Sequence, residues 1–71
     1  MITVNIQISE QGKRWEEIPS KELSFKDNIE IAVFAYRLAL VTGREIRVSN
    51  TFGNGSYYHP SNAAEYLKEL L

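Results

Sequence analysis

The first residues of the chain alternate between apolar and polar side chains. Branched apolar residues take the even positions, Ile2, Val4, Ile6 and Ile8, and uncharged polar residues take the odd ones, Thr3, Asn5, Gln7 and Ser9. A period of two places each set on its own face of a β-strand. The pattern predicts a strand with one face buried and the other in water.

A turn is predicted after this strand, because Gly12 can take a positive φ angle there. Residues Arg14–Ile18 are then expected to return as a second strand, and Pro19 ends it. Trp15 and Ile18 have opposite parity. The second strand therefore needs a bulge, or one of these two side chains stays partly exposed.

A long helix is predicted from Phe25 to Thr42, a stretch without Pro or Gly. Ser24 is a suitable N-cap, and Asp27 follows at the capping-box position. Gly43 is expected to end the helix in a left-handed conformation.

Two bulky apolar stripes lie on nearly opposite sides of this helix. The first is expected to face the sheet and consists of Ile29, Val33, Tyr36 and Leu40. The second has no obvious cover and consists of Ile31, Phe34, Leu38 and Val41. A third side carries the small residues Ala32, Ala35, Ala39 and Gly43, which would allow the last helix to approach closely.

Two further strands are predicted around a hairpin turn. Residues Arg44–Thr51 alternate as a third strand, and Asn54-Gly55 favours a two-residue turn that leads into a fourth. A longer loop is the alternative, since Gly53 is adjacent. The two-residue turn would place Phe52 opposite Tyr57. It would also put Tyr58 on the outward face of the sheet, together with Arg47.

A last amphipathic helix is predicted after the hairpin, with Pro60 in its first turn and His59 or Ser61 as its cap. The element order is then ββαββα. Connection rules favour an α+β two-layer sandwich, in which a four-stranded antiparallel sheet of order 2-1-3-4 carries both helices on one face. Residues 1–71 form a single domain, because so short a chain cannot build a second core.

Composition excludes several classes of function. The net charge of −1 is too balanced for general binding to a phosphate backbone, and the absence of Cys removes disulfides, thiolate metal sites and cysteine nucleophiles. We expect no metal and no cofactor. No apolar run is long enough to span a membrane and no secretory leader is visible, so a cytoplasmic location is expected.

No catalytic residues are expected. His59 lies near Ser56 and Ser61, but proximity in sequence does not place a nucleophile within reach of a base. Glu16 and Glu17 are neighbours and would point to opposite faces of a strand. The chain is therefore interpreted as a non-enzyme.

The uncovered helix stripe carries the main functional hypothesis. Either residues 18–25 fold back and cover it with Leu23, or it is an interface. We favour the interface, formed in a homodimer through the first helix by Ile31, Phe34, Leu38 and Val41. The protein would act as an adaptor or an inhibitor of a larger assembly, and its small size also suits an accessory protein of a phage or another mobile element.

A protein partner is expected at the hairpin tip, where aromatic and polar residues are concentrated: Phe52, Asn54, Tyr57, Tyr58 and His59. An alternative is the binding of single-stranded nucleic acid on the open sheet face through Arg47 and Tyr58, although that face lacks a basic field.

Overall fold

Strands and helices follow one another in the order ββαββα in the computed structural model, which describes residues 1–71. The elements are β1 (Ile2–Ile8), β2 (Lys21–Phe25), α1 (Asn28–Thr42), β3 (Ile46–Ser49), β4 (Gly55–Tyr58) and α2 (Pro60–Leu70). The strands form one antiparallel sheet of order β2-β1-β3-β4. The predicted α+β architecture and strand order are confirmed.

The even-numbered face of β1 forms the floor of the core, as its alternation predicted. Val4 and Ile6 are buried there with Ile46 and Val48 of β3, and both helices cover this face. Neither helix is long and apolar enough to cross a membrane.

The second strand begins at Lys21, and the prediction of a strand at Arg14–Ile18 is wrong. Residues Trp15–Glu17 form a single 3-10 turn instead. Leu23 and Phe25 lie opposite Val4 and Ile2 of β1, so they extend its apolar face. The opposite parity of Trp15 and Ile18 explains the difference, because a regular strand could not have buried both.

Helix α1 begins later than predicted. Asp27 is the N-cap, and its Oδ1 accepts a hydrogen bond of 2.9 Å from the backbone N–H of Glu30. Ser24 lies in β2, where its hydroxyl is 2.9 Å from that of Thr3. Gly43 ends the helix with a φ of 67°, and this prediction is confirmed.

The inward side of α1 is its alanine side. Ala35 and Ala39 are fully buried, as is Ala63 of α2, so the two helices pack closely through small residues. This phase turns Ile31 into the core and leaves Ile29 exposed by 59% and Leu40 by 45%. The predicted sheet-facing stripe is therefore wrong at Ile29 and Leu40.

The hairpin loop has five residues, Asn50–Asn54, because Ser49 pairs with Gly55. The side chain of Asn50 holds it, accepting hydrogen bonds from the backbone N–H groups of Phe52 and Asn54 at 2.9 and 3.1 Å. Gly53 takes a φ of 84°. Phe52 therefore lies at the tip of the loop and not opposite Tyr57, which corrects the prediction of a two-residue turn.

Candidate functional site

An apolar groove lies on the helix side of the sheet, between α1 and β2. Its volume is about 430 Å³. The apolar lining consists of Ile6, Ile8, Ile18, Pro19, Leu23, Phe34 and Leu38, and the charged residues at the groove are Glu10 and Lys21. We call this feature the apolar groove.

The position of α2 explains why the groove is open. Tyr66 of α2 stacks on Tyr36 of α1 with ring centroids 5.3 Å apart, and Tyr36 also meets Tyr58 of β4 at 4.8 Å. Helix α2 therefore lies on the β4 side of α1. The β2 side receives no second helix, and apolar residues there remain accessible.

The second helix stripe divides between the core and this groove. Phe34 and Leu38 line the groove, and the ring of Phe34 packs at 5.2 Å from that of Phe25 while 37% of the residue stays exposed. Val41 is 84% exposed further along the helix. Ile31 is buried in the core and is not available to a partner, which corrects its inclusion in the interface.

The structure bears on one of the two sequence hypotheses for the stripe, its cover by residues 18–25, and the interface stays a prediction. Residues 18–25 do lie alongside it, since Ile18 and Leu23 form the far wall of the groove. They do not close over Phe34 and Leu38. Ile6 and Ile8 of β1 also line the groove, and their parity had assigned them only to the helix face of the sheet.

The opposite face of the sheet carries a second cluster, formed by Gln7, Trp15, Arg47 and Tyr57, which we call the aromatic–arginine cluster. Gln7 is buried, and its amide Nε2 donates hydrogen bonds of 2.8 Å to the carbonyl oxygens of Trp15 and Ile18. Its Oε1 accepts a hydrogen bond of 2.9 Å from Nη1 of Arg47. The side chain of Gln7 thus holds in place both the side chain of Arg47 and the turn that carries Trp15.

Arg47 has no acidic partner. The ion pairs of the chain join Lys13 to Glu10 and Arg14 to Glu17, and the buried Nε of Arg47 has no hydrogen-bond acceptor. The side chain of Arg47 lies over Gly55, where an added Cβ would stand 3.1 Å from that Nε.

Two aromatic rings complete the cluster. Trp15 and Tyr57 contact each other with ring centroids 5.8 Å apart and an interplanar angle of 52°. Tyr57 lies directly opposite Arg47 in the β3–β4 register and is 54% exposed. The parity conflict at Trp15 was the only sequence signal for this contact.

Tyr58 belongs to the helix face, and the prediction that it shares a face with Arg47 is wrong. It lies opposite Ile46 in the register and contacts Tyr36. The observed register pairs Tyr57 with Arg47, whereas the predicted turn would pair Tyr57 with Phe52, five positions further along the chain. A shift by an odd number of positions exchanges the two faces of the strand. The aromatic residue beside Arg47 is therefore Tyr57.

The residues proposed for a partner at the hairpin tip do not form one surface. Phe52 and Asn54 are in the exposed loop, whereas Tyr57 and Tyr58 point to opposite faces of the sheet. His59 is the N-cap of α2, and its Nδ1 accepts a hydrogen bond of 3.2 Å from the backbone N–H of Ser61.

The tyrosines between the helices and β4 have perturbed ionisation. Burial raises the pKa of Tyr36 above its ordinary value, and the nearby Tyr66 and Tyr58 raise it further. Burial also raises the pKa of Tyr58. The fold therefore favours the neutral form of the Tyr36 and Tyr58 phenols.

The chain brings together no group of three or more His, Asp or Glu residues that could hold a metal ion. A polar cleft of about 450 Å³ lies near the N-terminus of α2, where its lining includes Arg44, Glu45 and His59. No known protein family, curated protein or solved structure matches this chain.

Proposed function

We propose that this chain is a small, non-enzymatic protein-interaction module that forms a homodimer through α1 and the apolar groove. The observation that carries the proposal is an accessible apolar groove of about 430 Å³ in a protein with few buried side chains. Open apolar surface of this kind is typical of protein interfaces.

The same helix supplies both a cavity wall and a projection. Phe34 and Leu38 line the groove. Val41 continues their stripe at helical spacing, and its side chain is largely exposed. In a two-fold dimer each patch contacts its own copy, so a surface that offers both shapes can complement itself.

The charges at the groove suit the same arrangement. Glu10 and Lys21 both line the groove and carry opposite signs. A two-fold axis can bring Glu10 of one copy towards Lys21 of the other, which favours a second copy over a partner of a single charge.

The apolar surface left to bury in a dimer lies mainly on Val41, which is 84% exposed, and on the exposed 37% of Phe34. Fully burying a side chain such as Phe, Leu or Val is worth about 1.5 to 3 kcal/mol, before the cost of association is subtracted. A module of this size would serve a larger assembly as an adaptor or an inhibitor.

Sedimentation equilibrium tests the proposal. We expect the wild-type chain to dimerise with increasing concentration, and Leu38→Glu and Val41→Glu to shift it to a folded monomer. Val41 is largely exposed, so its substitution leaves folding intact even where Leu38→Glu or Phe34→Glu disturbs the packing.

The matched control is Leu40→Glu, an exposed leucine of the same helix that does not line the groove. It introduces the same charge and should leave the dimer unchanged. A wild type that stays monomeric at its highest soluble concentration would overturn the proposal, as would a dimer that tolerates both Leu38→Glu and Val41→Glu.

A further inference from the structure

We infer that the aromatic–arginine cluster is a binding site for a glutamate or aspartate side chain in an extended segment of a partner protein. The cluster lies on the sheet face opposite the helices. The inference therefore does not depend on the apolar groove or on dimerisation.

Arg47 carries a charge without a counter-charge. It is half-buried, and no carboxylate of this chain pairs with it. A guanidinium has five N–H donors, and Gln7 occupies only one of them. Partly buried charges are normally paired, so the site lacks one anionic partner.

The side chain of Arg47 is preorganised by its neighbours. Gln7 accepts a hydrogen bond from Nη1 of Arg47. The side chain of Arg47 lies over Gly55, which has no Cβ to obstruct it. Because Gln7 is itself fixed by two backbone carbonyls, the guanidinium is already ordered before a ligand arrives. An ordered side chain loses less entropy on binding.

Aromatic residues lie next to Arg47 on this face. Tyr57 is directly opposite Arg47 in the register, its ring contacts that of Trp15, and it is more than half exposed. Trp, Tyr and Arg are the residue types most enriched at the energetic centres of protein interfaces. An acidic residue flanked by apolar ones would contact both the cation and the rings.

A single carboxylate fits this face better than a nucleic acid does. Arg47 is the only cation at the strand positions of this face, and the acidic residue Glu22 lies on the same face opposite Asn5. A strand of phosphates needs several cations along its path and would be repelled by this acidic residue.

The test is a titration with blocked peptides. One peptide has a glutamate between two leucines, and its partner has glutamine in the same place. Trp15 is the only tryptophan of the chain, so its fluorescence reports on the cluster, and the Nε–H signal of Arg47 in NMR spectra gives an independent readout. An oligothymidylate is titrated in parallel at the same low salt concentration.

We expect the glutamate peptide to bind at least about tenfold more tightly than the glutamine peptide, and to weaken as salt is added. Arg47→Gln should remove the preference. The matched control is Arg37→Gln, which loses an exposed arginine of α1 and should keep it. Tyr57→Leu, at an exposed position, should weaken binding of the glutamate peptide without unfolding the chain.

The comparison of the two peptides on the wild type needs no variant to fold. Equal affinities, or no response of Trp15 and Arg47 to the glutamate peptide, would overturn the inference. A stronger response to the oligothymidylate would overturn it too, and would identify the face as a nucleic-acid surface.

Discussion

Gln7 and Arg47 lie opposite each other in the β1–β3 register and are joined by a hydrogen bond of 2.9 Å from Nη1 of Arg47 to Oε1 of Gln7. The amide of Gln7 also donates to the carbonyl oxygens of Trp15 and Ile18. One buried side chain thus connects the sheet, the 3-10 turn and the open-face arginine. Removing this side chain should therefore affect the sheet, the 3-10 turn and the position of Arg47.

Gln7→Leu should lower the free energy of unfolding by about 2 to 3 kcal/mol, because two carbonyl groups and a guanidinium N–H lose their partner. Urea denaturation measures the change. Gln11→Leu, at an exposed position without a side-chain hydrogen bond, is the control and should stay within about 0.5 kcal/mol of the wild type. Equal stability of the two variants would show that Gln7 does not anchor the turn.

Asp27→Ala should lower the free energy of unfolding by about 1 kcal/mol, because Asp27 caps the N-terminus of α1. Ser24→Ala is the informative comparison, since Ser24 has the residue type of a cap but lies in β2. We expect its effect to stay below about 0.5 kcal/mol. A larger loss of stability from Ser24→Ala than from Asp27→Ala would contradict the assignment of Asp27 as the N-cap.

Alkaline pH should destabilise the protein through the buried tyrosines. The folded state raises the pKa of Tyr36 and Tyr58, so above about pH 10 the unfolded chain releases these protons first. The contribution of Tyr36 and Tyr58 to the free energy of unfolding is fully present below about pH 10 and is lost as the pH rises through their folded-state pKa values. Urea midpoints across this range measure the fall.

Tyr36→Phe should make that fall shallower, because it removes one of the two phenols. The same comparison near neutral pH, where phenols are protonated in both states, is the control. If the urea midpoint of Tyr36→Phe fell above about pH 10 as steeply as that of the wild type, Tyr36 would not be a source of the alkaline destabilisation.

Strand positions were predictable where the chain shows simple alternation. Ile2–Ile8 alternates without interruption, and the structure buries the face that this parity indicated. Leu23 and Phe25 also alternate, but the segment is short, and Ser24 between them has the residue type of a cap for a helix that begins at Phe25. Pairing with β1 decides between a strand and a helix here, and pairing is a tertiary contact.

The phase of α1 could not be predicted because apolar residues occur on several of its sides. Fully buried Ala35 and Ala39 decide which side faces inward, since only small residues let α2 come close. Phe34 and Leu38 were identified as candidate interface residues before their surroundings were known. The groove they line depends on where α2 lies, which local sequence does not encode.

The aromatic–arginine cluster was predicted only in part. Arg47 was assigned to the open face, but the length of the hairpin loop decided whether Tyr57 or Tyr58 would accompany it. Asn50 accepts two backbone hydrogen bonds across that loop, and this stabilises five residues where Asn54-Gly55 alone favours two. Gln7 gave no signal, because a polar residue on an open face is ordinarily solvated.

The central place of β1 in the sheet affects the order in which the chain can fold. Strand β1 is first along the chain, yet one of its two neighbours is β3, and the contact of Gln7 with Arg47 spans 40 positions. Closing so long a loop costs entropy before any pairing energy is recovered. During synthesis, the sheet around β1 therefore cannot be completed until β3 has been made. The pairing of β1 with β2 and its pairing with β3 then stabilise the sheet together.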